Sequence, residues 1–254
     1  MKIFFISDIH YGRDANYAPV NGKEYVNSFG AQFDSSAERL RPFLPTHDLI
    51  INLGDTINEI DAEHDTTNYR TVLDLLSVGK PLICVAGNHD LNILSRQELS
   101  AIIGQPLYRS FDLGGYHHII LDGTRDADGG LHRIDKTQCE WLEHDLAHNT
   151  LPALVYCHYP LDEQSLESNY YFKMKPERAF ISNKQEVRKI LETCGRVIAV
   201  FNGHLHFAHE ETINGIRYIT VPSFSENDGS GQPKKECLSA DVVDQSLSLT
   251  TIAI

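Results

Sequence analysis

Apolar residues fall along this chain in short unbroken runs, each ending on a polar or glycine-containing stop. Lys2–Ile6, Asp48–Leu53 (DLIINL), Pro81–Ala86, Ala153–Cys157 and Val197–Phe201 are runs of this kind. Runs this short, bounded by turn residues, predict buried strands. Helical spacing separates them. Val72, Leu75 and Leu76 recur within Tyr69–Val78. Cys139, Leu142 and Leu146 follow Asp135, which makes a capping-box pattern with Gln138. Val187, Ile190, Leu191 and Cys194 follow Asn183 and Glu186, with Gly195 as the stop. Tyr108–Leu113 and His117–Leu121 flank Gly114-Gly115 and predict a hairpin.

The C-terminal part changes character. Arg217–Val221, Leu238–Val243 and Leu247–Ile254 read as strands with no helix between them, and Glu226–Lys235 (ENDGSGQPKK) as an exposed loop. Alternating strands and helices followed by a mostly antiparallel finish predict an α/β chain folded as one domain over residues 1–254.

Composition narrows the function classes. Of 254 residues, 41% are hydrophobic and 22% charged, the balance of an ordinary globular protein. No apolar run approaches the roughly 20 residues that span a bilayer. Ile3–Ile6 stops at Ser7-Asp8, shorter than the core of a secretory signal. The expectation is a cytoplasmic protein with no membrane partner. With 22 Lys plus Arg against 35 Asp plus Glu the net charge is −13, which lacks the basic excess that binding to a nucleic acid polymer requires. The five cysteines (84, 139, 157, 194, 237) form no C-x-x-C pair and indicate neither a disulfide framework nor a cysteine zinc site.

The 13 histidines change the picture most. Strand ends deliver, in order, Asp8 with His10, Asp55, Asn88 with His89, His158, and His204 with His206. Ligands of α/β sheets collect beyond the carboxyl ends of strands, where loops converge on a rigid frame. D-x-H and H-x-H each place two donors on one side of an extended segment. Imidazole with carboxylate oxygen suits Zn, Fe or Mn. A bridging carboxylate holds two cations together, and two metals about 3.5–4 Å apart lower the pKa of water and clamp a phosphoryl group for in-line attack. Each piece alone is a common structural feature; the ordered set is not.

Asp8-x-His10, Gly54-Asp55, Gly87-Asn88-His89-Asp90, His158 and Gly203-His204-x-His206 resemble, in order, the five-block pattern of the calcineurin-like metallophosphoesterases. That resemblance implies an αββα four-layer sandwich of two mixed β-sheets flanked by helices. It implies two divalent metal ions (Mn, Fe or Zn), one on Asp8, His10, Asp55 and His206, the other on Asp55, Asn88, His158 and His204. It further implies that His89 contacts phosphate or protonates the leaving oxygen and that Asp90 orients His89. The Asn-His-Asp form of the third block is most similar to the bacterial cyclic-nucleotide and glycerophosphodiester phosphodiesterases. The expected substrate is accordingly a small phosphodiester. A phosphomonoesterase or nucleotide pyrophosphatase of the same family, or a metal-binding regulatory module, stands as the alternative, and a homodimer is compatible with the sequence.

Arg13, Arg125 and Arg133 lie in loops near the strand ends, within reach of a phosphate, and Tyr11 is a candidate pocket residue. His117, His118 and His209 read as structural or exposed. The irregular segments Gly12–Thr46 and Ser165–Ser182 are where substrate specificity is expected.

Overall fold

The computed structural model describes residues 1–13, 15–16, 26–27, 30–125, 131–226 and 232–254, with backbone alone over 15–34. Two mixed sheets lie face to face between helices. In the first, five strands run in the order Ser246–Ala253, Glu236–Val243, Lys2–Ile6, Leu49–Asn52, Leu82–Cys84. In the second, six run His209–Ile213, Ile216–Thr220, Val197–Asn202, Ala153–Cys157, Tyr116–Leu121, Arg109–Leu113. The helices are α1 (Gly30–Leu40), α2 (Ala62–Leu76), α3 (Arg96–Ile103), α4 (Lys136–His148) and α5 (Lys184–Cys194).

The unbroken apolar runs have a direct physical cause. Along Lys2–Ile6 alternate residues face opposite ways. Ile3 and Phe5 enter the core between the sheets, while Phe4 and Ile6 pack under α1 and α2 with Ala37, Leu40, Val72 and Leu76. The second sheet does the same: Leu154 and Tyr156 face inward, whereas Ala153, Val155 and Cys157 pack against Leu142 and Leu146 of α4 and Val187 and Leu191 of α5. Phe5 stacks on Phe201 with ring centroids 4.3 Å apart, joining the two sheets at their middle. Truncating such a buried ring typically costs about 3–5 kcal/mol. The expected αββα sandwich is the observed architecture.

Register then sets where the loops emerge. Ile6 pairs with Asn52 and Asn52 with Cys84, so the three parallel strands of the first sheet finish level. Cys157 pairs with Leu121, Tyr156 with Phe201 and Asn202 with Thr220 in the second. The carboxyl ends of these parallel strands open on one side of the sandwich.

Several local expectations need correcting. The second helix starts at Ala62, seven residues before the apolar spacing begins at Tyr69, because Asp61 caps it by accepting from the amides of Glu63 and His64. Helices α1 and α3 were not expected, although Ser95 and Glu98 form a complete capping box at α3. At α4 only half the box forms: Asp135 accepts from the Gln138 amide, but the Gln138 side chain bonds the backbone of Asp122 instead. Asn183 likewise spends its amide on the backbone of Ile134 and on Glu186 rather than capping α5. The five cysteines are free. No described helix is long and apolar enough to cross a membrane.

Candidate metal centre

The loops that leave the level strand ends bring every residue of the sequence pattern into one cluster, buried except at Asn88, His89 and His206, which are partly exposed. Five of them, Asp8, His10, Asp55, His204 and His206, have left-handed backbone with φ between 49° and 68°. Non-glycine residues rarely hold this conformation unless their surroundings over-determine it, and functional sites are where it concentrates. Here a web of loop-to-loop bonds does so. The Asp8 amide donates to Gly54 O and the His10 amide to Asp55 O, both at 3.0 Å, and the His204 amide donates to both Asp8 carboxylate oxygens at 3.1 Å. Ser223 and Ser225 hydroxyls donate to Asp8 O.

Each histidine of the cluster has one ring nitrogen tied outward. His10 Nδ1 pairs with Asn58 Oδ1 (2.9 Å), His158 Nδ1 with Leu53 O (2.8 Å), His204 Nε2 with Arg178 O (2.9 Å) and His206 Nδ1 with Glu226 Oε2 (2.8 Å). An outer acceptor takes the N–H and leaves the second nitrogen's lone pair for the interior. Those lone pairs face other acceptors. His10 Nε2 and His206 Nε2 stand 3.3 Å apart, His158 Nε2 is 3.3 Å from Asp55 Oδ2, and His206 Nε2 is 3.4 Å from Asp8 Oδ1. Asn88 Oδ1 and His158 Nε2 are buried with no hydrogen-bond partner. Acceptors gathered against acceptors need positive charge between them, and this donor set of imidazoles, carboxylates and one amide oxygen fits divalent cations. The groups Asp8–His10–His206 and Asp55–His158–His204 each bring their donor atoms within 4.8 Å of one another, and His10–Asp55–His89 form a third such group.

Electrostatics describes the same crowding. Burial keeps His10 and His204 unprotonated, with help from the charges of His89 and His158 respectively, lowering their pKa values to about 4 and about 3. Burial also opposes charge on His158 and His206. At these two the carboxylates outweigh it, Asp55 acting on His158 and Asp8 with Glu226 on His206, and the pKa values rise to about 9 and about 10. Both upward shifts mark the places where the carboxylates demand positive charge, which a cation between them supplies.

His89 lines the pocket with its ring edge-on to His10, centroids 4.7 Å apart. Its Nδ1 pairs with Glu59 Oε2 at 2.7 Å, and Asn92 braces the other Glu59 oxygen at 3.2 Å. Asp90 does not make the bond expected of it. Its carboxylate accepts from the backbone amides of Thr56, Ile57 and Gly87, so it ties the loop after Asp55 to the loop after Leu82–Cys84. Glu59 and Glu226 are the partners that sequence reasoning missed. Glu59 lies four residues after Asp55, but nothing in that spacing says which histidine it meets. Glu226 opens the segment expected to be an exposed loop and is instead buried; residues 227–231 lie outside the described part.

A cavity of about 610 Å³ covers the cluster. Asn169–Phe172, Glu177 and Arg178 of the irregular segment 165–182 form part of its wall, with Arg125, Leu131 and His132 forming another. A smaller cavity of about 290 Å³ adjoins it through Asn88, Asn92, Arg125 and His132. Tyr11 packs beside the core under α1 and α2 instead of lining the pocket, and Arg13 and Arg133 are not among the lining residues. His117 and His118 are buried at the far end of their strand, His117 between Asp112 and Asp145. His209 stands beside Asp162, at 3.9 Å, outside the cluster. Residues 14, 17–25 and 28–29 of the expected specificity segment 12–46 lie outside the described part.

The sandwich, with its strand-end cluster of acids and histidines, defines the class of the metallophosphoesterases. The model of the calcineurin-like phosphoesterases matches residues 1–208, and the chain belongs to that family. It is 27% identical over 192 residues to a probable cyclic nucleotide phosphodiesterase of Psychrobacter arcticus, covering 69% of this chain and 63% of that protein. It is 25% identical over 186 residues to the serine/threonine-protein phosphatase CPPED1 of Mus musculus, covering 68% of this chain and 58% of that one. The match therefore spans about three-fifths of the length of these curated relatives. In fold it is similar to a dimetal phosphatase from Danio rerio, with a TM-score of 0.72 at 15% identity over 99% of this chain and 98% of that one.

Proposed function

We propose that this chain is a dinuclear metal hydrolase acting on small phosphodiesters of the cyclic-nucleotide or glycerophosphodiester type. The observation that carries the reading is the set of four histidines, three of them buried and His206 partly so, each bonded outward through one nitrogen and turned with the other toward Asp8 and Asp55. Asp8, His10 and His206 would hold one cation, Asn88, His158 and His204 the other, and Asp55 both. When bound, the pair supplies Lewis-acid activation of water and neutralises the phosphoryl oxygens. His89, with Nδ1 held by Glu59, keeps Nε2 for a proton that passes to the leaving oxygen. The strongly acidic surface disfavours polymeric nucleic acid, a small phosphoester fits the cavity over the cluster, and the free cysteines agree with a reducing, cytoplasmic setting.

One observation favours a phosphomonoester as a second reading. Arg125 and Arg178 both line the cavity, and a monoester carries an extra negative charge for them to meet. The test is turnover of bis-p-nitrophenyl phosphate beside p-nitrophenyl phosphate, with Mn²⁺ and again after chelation. Diester turnover that needs metal and exceeds monoester turnover is the expected result. Turnover indifferent to chelation overturns the metal reading, and monoester preference overturns the diester one.

A further inference from the structure

The two histidines at 204 and 206 both sit on left-handed backbone, with Leu205 between them. What restrains them comes from outside their own loop. The Arg178 carbonyl accepts from His204 Nε2 at 2.9 Å. Asn169 Nδ2 donates to Leu205 O at 2.9 Å, while its Oδ1 accepts from the amides of Tyr171 and Phe172 and so fixes the short helical turn Phe172–Met174. Tyr170 donates its hydroxyl to the Glu226 carboxylate at 3.0 Å, and that carboxylate accepts from His206 Nδ1. Leu205 is buried in a small apolar cluster with Phe172 and Ala179, apart from the main cores.

One stretch of chain, residues 166–182, therefore reaches both histidines, His204 directly and His206 through Tyr170 and Glu226. The same stretch forms part of the pocket wall through Tyr170, Tyr171, Phe172 and Arg178. We infer that Glu226 and Asn169 are positioning residues for the metal-binding histidines, and that metal binding and the ordering of segment 166–182 are thermodynamically linked. The inference rests on the dinuclear reading above. Physically, the left-handed histidines can be held in ligating pose only while their outer partners stay in place. Ions bound to the histidines must then stabilise the segment by the same factor that the segment strengthens the ions' binding. Removing an outer partner of a ligating histidine typically lowers metal affinity about 10–100-fold.

The test uses the full chain, with Mn²⁺ as the probe. Calorimetric titration should give two ions on the wild type. Glu226→Ala should weaken one of the two sites by about 10–100-fold, and Glu226→Gln, which keeps a carbonyl acceptor, by less. Asn169→Ala should weaken binding as well. Lys173→Ala, on the same segment but with its ammonium paired to Glu167 at the surface, should leave affinity unchanged. Hydrogen exchange gives the second readout. Mn²⁺ should slow the amides of residues 172–175 in the wild type and fail to do so in Asn169→Ala. Melting in chelator checks that each variant folds, and the near-isosteric Glu226→Gln keeps the test alive if Glu226→Ala does not. Wild-type affinity in both Glu226 variants and in Asn169→Ala, or exchange over 172–175 indifferent to Mn²⁺, overturns the linkage alone. A wild type that takes no Mn²⁺ overturns the dinuclear reading together with it.

Discussion

Gly87→Ala should disable the site through a single methyl group. A Cβ placed on Gly87 would lie 2.2 Å from the Asp55 amide nitrogen and 2.2 Å from Asp55 Oδ1. Ordinary contact begins at 3.4 Å, so Asp55 has to retreat by roughly 1 Å or its loop has to part from the loop of Gly87. Neither movement is free. Asp90 bonds Gly87 to Thr56 across the same gap, and Asp55 Oδ1 accepts from the His89 amide at 2.8 Å. Overpacking of this kind costs about 1–3 kcal/mol, and in a domain of this size each kcal/mol lowers Tm by about 2–4 °C. Activity should suffer more than stability, because a displacement near 1 Å in a catalytic array is worth about 10²-fold in rate. The assay is kcat/KM on bis-p-nitrophenyl phosphate with Mn²⁺, beside calorimetric metal binding and a thermal melt. Gly79→Ala is the control. Gly79 has φ of +75° and nothing within 4 Å of a built Cβ, so the substitution strains the backbone by about 1–2 kcal/mol and should leave kcat/KM untouched. A Gly87→Ala enzyme that melts lower but turns over like the wild type would refute the reasoning, because Asp55 would then tolerate displacement.

Asp55→Ala should lose both Mn²⁺ ions and Asn88→Ala mainly one, counted by metal analysis after reconstitution; one ion per wild-type chain would contradict the shared carboxylate. His89→Ala should keep both ions and lose about 10²–10⁴-fold in rate, with a smaller loss for nitrophenolate leaving groups, and Glu59→Gln should follow it in weaker form. Equal losses on good and poor leaving groups would remove the proton-donor role. Burial lowers the pKa of His118, stacked between Phe111 and Tyr156, to about 4. Above pH 6.5 it is neutral folded or unfolded; as pH falls from there toward 4 only the unfolded chain takes the proton, so stability drops by up to about 1.4 kcal/mol per pH unit. His118→Gln should flatten that part of a Tm-against-pH curve, and an unchanged slope would refute the assignment. A small diester should be cleaved with higher kcat/KM than single- or double-stranded DNA and with modest salt dependence; faster cleavage of polymer with a steep salt slope would expose a basic groove hidden by the net charge of −13.

What could be read from the sequence, and what could not, divides along a physical line. Strands buried on both faces announce themselves as unbroken apolar runs, and the residues just past their carboxyl ends must meet wherever the sheets finish level. That is how Asp8, Asp55, Asn88, His158 and His204, with up to 196 positions between them, came to be expected in one cluster. Boundaries and partners obey no such periodicity. The start of α2 is fixed by the Asp61 cap, and the polar run after it, Glu63 to Asn68, carries no hydrophobic signal. Gln138 and Asn183 hold the right places for caps, yet each found a buried backbone group in another segment whose unpaired state would have cost more than the cap gains.

The outer partners of the histidines show the limit most sharply. The family resemblance implies that Asp90 orients His89, but a carboxylate beside a histidine in sequence need not face it. Three backbone amides donate to Asp90 and draw it inward, and Glu59 takes the imidazole instead. Glu226 was assigned to solvent because ENDGSGQPKK is loop-like in composition, and composition is an average over the run. Its first residue is placed by Ser223, whose hydroxyl accepts from the Glu226 amide, and this turn delivers the carboxylate to His206. Donor atoms that bind an ion are dictated by chemistry and recur in recognisable blocks. The groups that aim those donors are dictated by whichever backbone polar atoms each loop must satisfy, and only the folded chain decides that.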